Sequence, residues 1–147
     1  MHVILAATDG SPSANRAVDF ASALANAFRA KLILVNVMPI EFRVTFDANF
    51  KPTLDAEELR IVESLESNSQ TLLAQAKKRI EANGLPGIDT VSRLGDPAET
   101  LLAIAAEQKD PVIVLGKHGH GRFAELLLGN MPHKLALHAT CPVIVVR

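Results

Sequence analysis

A single cysteine, Cys141, stands among the 147 residues. One thiol excludes both an intrachain disulfide framework and a thiolate zinc cluster. Tryptophan and tyrosine are absent, and phenylalanine occurs six times. Proteins that stack the bases of RNA or single strands rely on more aromatics than that. Neither sign of charge dominates, since 15 Lys and Arg against 16 Asp and Glu leave a formal charge of −1. A nucleic-acid surface built on net basicity is therefore not expected. Long apolar runs are missing too. The longest, Leu101 to Ala106, has six residues, far short of the ~20 that a membrane helix needs. Met1-His2-Val3-Ile4-Leu5 carries no basic n-region, and Asp9 interrupts the apolar stretch, so the N-terminus does not read as a signal peptide. The expectation is one domain over residues 1–147, cytoplasmic, with no membrane or nucleic-acid partner.

Apolar residues make up 48% of the chain, enough for a packed core. Five short runs read as strands: His2–Thr8, Lys31–Val37, Asp89–Leu94, Pro111–Gly116 and Pro142–Arg147. Leu32–Val35, Val112–Leu115 and Val143–Val146 are continuous apolar runs without alternation, which suits parallel strands covered on both faces. Asp89–Leu94 is more polar and reads as an edge strand. Helices fall between. Ser11-Pro12 caps and opens the first, whose Ala17, Phe20, Ala21, Leu24 and Phe28 follow three-and-four spacing. The second runs from about Asp55 to Ala82, with Asp55 and Glu58 at capping-box spacing and Asn83-Gly84 as its stop. The third opens on Asp96-Pro97-Ala98-Glu99, a second capping box, and the fourth covers Met131–His138. Strict alternation of strand and helix implies an α/β, three-layer sandwich, flavodoxin-like or Rossmann-like, with a five-stranded parallel sheet. The expected strand order is 3-2-1-4-5. One long connection, Met38–Leu54, holds Phe42, Phe46 and Phe50; connections of this length are often functional, but packing of the loop onto its own domain is the favoured explanation of the phenylalanines.

In such a sheet, ligands bind at the carboxyl ends of the strands beside the point where strand order reverses. Two segments flank that point: Thr8-Asp9-Gly10-Ser11 after the first strand, and Gly116-Lys117-His118-Gly119-His120-Gly121-Arg122 after the fourth. Glycines allow backbone N–H groups to approach a ligand, and Lys117 and Arg122 add positive charge. Gly129-Asn130 precedes the fourth helix, whose first turn offers N–H donors to a phosphate.

These glycines form the pattern Gly116-x-x-Gly119, nine residues, Gly129. With Thr8-Asp9-Gly10-Ser11, Leu127-Leu128-Gly129 and His138-Ala139-Thr140-Cys141-Pro142-Val143, the chain resembles the universal stress protein family from Val3 to Val146. The resemblance implies a small α/β sandwich, usually a homodimer, linked to stress survival. One branch of the family binds ATP and acts as a sensing module; another does not bind nucleotide and acts through protein contacts. On the ATP-binding pattern, Ala7, Thr8, Asp9 and Val37 frame the adenine, and Gly116, Lys117, His118, Gly119, His120, Gly121 and Arg122 follow the ribose and phosphates. Gly129, Asn130 and Met131 then hold the phosphates at the helix start. ATP is the implied cofactor, with Mg²⁺ arriving on it; AMP or another adenine nucleotide fits the same pocket. The chain departs from the pattern at Asn130 and Pro132, where the motif normally carries hydroxyl residues. Each lost hydrogen bond to a charged group costs about 1.5–3 kcal/mol, and Lys117, His118, His120 and Arg122 are the candidates to compensate.

Other chemistries find less support. Four of the five histidines, His118, His120, His133 and His138, lie within one segment, but no acidic residue precedes Glu125 there, and no dedicated metal site is expected. Asp9 stands alone after the first strand, whereas phospho-acceptor sites of this topology need an acidic pair, and Asp96 reads as a helix cap. Ser11 and Ser13 lie outside any Gly-x-Ser-x-Gly elbow. No catalytic residue is assigned, and any ATP hydrolysis is expected to be slow. The apolar final strand, Pro142–Arg147, would be an exposed edge in a monomer, so a homodimer through that strand is expected, alongside an unidentified protein partner.

Overall fold

The computed structural model describes residues 1–39, 45–46, 52–117 and 130–147, with the backbone alone described at 45–46 and 52–53. The elements follow as β1 (Val3–Ala7), α1 (Pro12–Phe28), β2 (Lys31–Met38), β3 (Thr45–Phe46), β4 (Pro52–Thr53), α2 (Ala56–Ala82), β5 (Asp89–Leu94), α3 (Pro97–Ala106), β6 (Pro111–Gly116), α4 (Asn130–His138) and β7 (Val143–Val146). The main sheet has the order β5-β2-β1-β6-β7, all pairs parallel. Counting only these five strands, that is the expected 3-2-1-4-5. The small antiparallel pair β3–β4, inside the Met38–Leu54 connection, was not expected; its two-residue strands are too short to leave a period. Phe42 and Phe50 lie outside the described residues.

The continuous apolar strands are explained by burial on both faces. Along β1, Ile4 and Ala6 join a core with α1 and α2, while Val3, Leu5 and Ala7 join a second core with α3 and α4. Fully burying a Leu or Ile side chain contributes about 1.5–3 kcal/mol, and Ile4, Leu5, Leu101, Ile113 and Leu135 are completely enclosed. β5 is half-exposed and polar, as an edge strand should be. There Ser92 shares a 2.7 Å hydroxyl hydrogen bond with Ser69 of α2, which fixes the helix over that edge.

Caps set the helix starts. Ser11 accepts the Ala14 N–H, with Pro12 in the first turn. The Asp55–Glu58 capping box is complete. At α3 only half the box forms: Asp96 accepts the N–H groups of Ala98 and Glu99, and its other oxygen takes Lys134 of α4 at 3.0 Å. The buried face of α1 differs from the expected one. Ala14, Ala17, Val18, Ala21 and Ala25 face the sheet, while Phe20 and Phe28 are 44% and 59% exposed. The reason is close packing. A Cβ added at Gly116 of β6 would lie 2.5–2.7 Å from the Oγ, C and O of Ser13, so only small side chains fit between α1 and the strands. Large residues are displaced to the helix flank.

Helix α2 rises above the sheet. Leu72 lies against Gly10, past the end of β1, and 16 residues separate it from Ala56, so the helix extends about 24 Å further at 1.5 Å per residue. Its fully buried residues begin only at Ser69.

Candidate functional site

β1 ends at Ala7, and the chain turns through Thr8-Asp9-Gly10 into α1. The turn is held by its own polar groups and by β2. The Thr8 N–H donates to the Val35 carbonyl at 2.8 Å. The Gly10 N–H donates to Thr8 Oγ1 at 3.2 Å, and the Ser11 N–H to Asp9 Oδ1 at 2.9 Å. Asn15 Nδ2 donates to the Gly10 carbonyl at 3.3 Å. Gly10 sits at φ +79°, a conformation that favours glycine. Its missing side chain also leaves room for Leu72, since a Cβ would stand 2.9 Å from Leu72 Cδ1.

Register aligns this turn with its neighbours. Ala7 is level with Val35, and Ala6 with Val114. These are the last pairs that β1 makes on either side: Thr8 and Asn36 come one residue later and Gly116 two, and Asp9, Val37 and Lys117 follow them along their chains. After β1 the chain leaves to α1 on one face, and after β6 it reaches α4 on the other, the arrangement that places the ligand crevice of α/β sheets between two such strand ends. Ala7 and Thr8 are buried, Asp9, Val37, Gly116 and Lys117 are half-buried, and the Lys117 N–H is anchored to the Val146 carbonyl at 2.8 Å. Six of the expected site residues, Ala7, Thr8, Asp9, Val37, Gly116 and Lys117, thus meet at the three strand ends. His118, Gly119, His120, Gly121, Arg122 and Gly129 lie outside the described residues.

At the start of α4, Asn130 is exposed, Met131 packs against the α3–α4 core, and Pro132 is buried. Proline in this first turn removes one N–H that a phosphate could have used. Cys141 packs beside the same core, and burial raises its thiol pKa, so it is not poised as a thiolate.

Asn36 was missed by sequence reasoning. It is 7% exposed, and its Nδ2 donates to the Thr8 carbonyl at 2.6 Å. The available signal was a lone amide inside Leu32-Ile33-Leu34-Val35-Asn36-Val37: a buried polar side chain in such a run needs a partner. On the α1–α2 side of the turn, Thr8, Gly10, Asn15, Leu72, Gln75, Ala76 and Arg79 line a cavity of about 220 Å³, and Arg79 there pairs with Asp19 at 2.9 Å. Among the described residues, no group of three or more His, Cys, Asp and Glu could hold a metal ion, and no helix is long and apolar enough to cross a membrane.

The sequence profile of the universal stress protein family matches residues 1–147. The chain belongs to the universal stress protein family. A curated relative from Thermus aquaticus, the universal stress protein in the QAH/OAS sulfhydrylase 3' region, is 34% identical, covering 98% of this chain and 97% of its own. Among solved structures, the universal stress protein UspA from Lactobacillus plantarum superposes with a TM-score of 0.86 at 24% identity, covering 99% and 97% of the two chains. That likeness shows the fold. A universal stress protein solved in complex with cAMP has a TM-score of 0.71 at 28% identity, with the same coverage.

Proposed function

We propose that this universal stress protein binds an adenine nucleotide, ATP with Mg²⁺ foremost, at the ends of β1, β2 and β6, and acts as a sensing or regulatory module. The observation that carries the reading is that β1, β2 and β6 run side by side into the switch point, with Ala7 paired to Val35 and Ala6 to Val114, so that Asp9, Val37 and Lys117 follow within two or three residues of the last paired positions, where α/β sheets bind ligands. The residues fit the group. Val37 offers a backbone donor and acceptor to the base, the Asp9 carboxylate adds an acceptor on the adenine side, and Lys117 supplies charge for phosphate. A family neighbour with cAMP in its structure supports the same ligand class. The glycine loop and helix start, with His118, Gly119, His120, Gly121, Arg122, Gly129, Asn130 and Met131, complete the proposed site from the family motif.

The test is to denature the purified protein, identify any released nucleotide by mass spectrometry, and titrate ATP with magnesium calorimetrically. Bound ATP, or micromolar affinity weakened at least about tenfold by Asp9→Asn, supports the reading, because a hydrogen bond to a charged group is worth about 1.5–3 kcal/mol. An empty protein that gives no heat up to millimolar ATP overturns it. The second reading then stands: a member acting through protein contacts. Pro132, lacking an N–H in the first turn of α4, favours it.

Both readings place two copies together through Pro142–Arg147. β7 pairs with β6 on one side, and at the sheet edge its Val and Ile residues are half-buried. An apolar open edge is a pairing surface, and the same edge of a second copy closes it about a two-fold axis.

A further inference from the structure

We propose that the flank of α1 and the uncovered face of β7 form a docking shelf for an amphipathic helix of another protein, one with acidic residues beside its apolar stripe. This role does not depend on whether nucleotide binds. Neighbouring strands lie about 4.7–4.9 Å apart and packed helices about 8–10 Å apart, so one helix covers about two strands. On one face of the sheet, α2 rests on β2 and β5, while α1 rests on β1 and β6 and reaches β7 from its flank. Among the described residues, no other helix packs on β7 there. On the opposite face, Val143 and Val145 pack into the core of α3 and α4. Room for one more helix therefore remains beside α1, along β7.

The walls of that space are apolar. Phe20, Leu24 and Phe28 recur every four residues along α1. The flank of α1 that faces α2 is marked by Asp19, which pairs with Arg79 at 2.9 Å. The flank that faces β7 is marked by Arg16, whose Nε donates to the Arg147 carbonyl at 3.1 Å, and Phe20 stands one turn further on. Phe20 and Phe28 are exposed and Leu24 is half-buried. Ile144 and Val146 form the floor, half-buried against the same core as Leu24. The other edge strand differs. The face of β5 on the α3–α4 side is bare too, but there Asp89 and Arg93 flank Val91, and water suits it. A run of exposed apolar side chains on a wall and its floor marks a contact surface. The shelf uses the side-chain face of β7, whereas the proposed two-fold pairing uses its hydrogen-bonding edge.

Charge sets the chemistry of the partner. α1 and β7 carry one carboxylate between them, Asp19, and it is held by Arg79 on the far flank. Arg16 stands at the amino end of the wall, and Arg29 follows Phe28 at its carboxyl end as the cap of α1. Among the described residues, neither arginine has an acidic partner. Glutamates bordering the apolar stripe of a docked helix would meet both cations, and lysines there would be repelled.

The test uses the full chain, NMR, and a helical peptide of about 15 residues with a leucine stripe bordered by glutamate. A second peptide has lysine in place of every glutamate. The glutamate peptide should shift the signals of Phe20, Leu24, Phe28, Ile144 and Val146. It should bind at least about tenfold more tightly than the lysine peptide, a gap that narrows at high salt. Phe20→Ser combined with Phe28→Ser should weaken it at least about tenfold with the melting temperature close to the parent's, because both rings are exposed. If that pair unfolds the protein, Phe28→Ser alone should weaken it at least about threefold. Arg16→Glu should narrow the gap between the peptides at least about threefold. No shifts up to millimolar peptide overturn the proposal, as do shifts elsewhere on the surface, equal binding of both peptides, or unchanged binding in the folded phenylalanine variants. Shifts produced by phosphatidylserine vesicles and by neither peptide would make the shelf a membrane face. Shifts of Phe20 and Phe28 that grow with protein concentration alone would make it a contact between copies. Either result overturns the proposal.

Discussion

Gly116→Ala should destabilise the protein although the backbone conformation there suits alanine. The new Cβ would lie 2.5 Å from Ser13 Oγ and 2.7 Å from both the carbonyl carbon and oxygen of Ser13. Ordinary contact begins near 3.4 Å, so the first turn of α1 would have to retreat by roughly 0.7 Å from β6. Overpacking of this kind costs about 1–3 kcal/mol. At an unfolding entropy of about 2.1 cal/mol/K per residue, a chain of this length loses about 3 °C in Tm per kcal/mol. The expected fall is therefore about 3–10 °C by calorimetry. Two of the three close atoms are backbone, so adding Ser13→Ala should recover only a minor part of the loss. A single variant within about 1 °C of the parent would refute the close packing of α1 on β6, as would full recovery in the double variant. The turn that precedes α1 carries Asp9, so on the proposed nucleotide reading the variant should also bind ATP more weakly than the parent at a temperature where both are folded.

Two further outcomes follow from the geometry. Backbone donation from Glu99, followed by the hydrogen bond from Lys134, holds the Asp96 carboxyl below its ordinary pKa. Its stabilising contribution is therefore complete above the unfolded value of about 3.9 and is lost as pH falls through the folded value. In urea melts between about pH 5 and pH 3, the unaltered protein should lose stability more steeply than Asp96→Asn, which keeps the cap but not the titration; equal slopes would disprove the linkage. The carbonyls of Pro142 and Val146 face β6, so Val145 presents its N–H to the open edge. If two copies pair through this edge as proposed, Val145→Pro should leave β6–β7 pairing intact and raise the dissociation constant of that pairing at least about tenfold in sedimentation equilibrium. Unchanged association would place the interface elsewhere.

The sheet was legible because burial on both faces leaves an unmistakable mark: Leu32–Val35, Val112–Leu115 and Val143–Val146 admit no polar alternation. The helix starts were equally clear, since Ser11, Asp55 and Asp96 each stand before a suitable first turn. The buried face of α1 was not. Weighting large apolar residues selected Phe20 and Phe28, but a helix lying against Gly116 needs alanine, and alanine carries little hydrophobic weight in a pattern. At the site, Asp9 and Lys117 could be named from strand ends, and Val37 only from the family resemblance. The pairing of Ala7 with Val35 and of Ala6 with Val114, which brings the three ends together, could not be read, because register between strands far apart in sequence is set by packing and not by local spacing. Asn36 was overlooked for a related reason: its partner, the Thr8 carbonyl, is 28 residues away.

The turn after β1 is satisfied from within. The Thr8 N–H and carbonyl, the Gly10 N–H and carbonyl, and the Ser11 N–H all have protein partners. Gly10 is wedged against Leu72, and α1 is seated on Gly116. A ligand arriving at this crevice need not order that backbone, and ordering is a large part of what weak sites lose. The same contacts limit how the site can respond. A segment fixed by β2, α1 and α2 together cannot signal occupancy by changing shape alone; it can do so only by displacing an element it touches. Among the described residues, the element reaching farthest past the strand ends is α2, whose N-terminal half has no fully buried side chain and so has the least packing to lose when it moves.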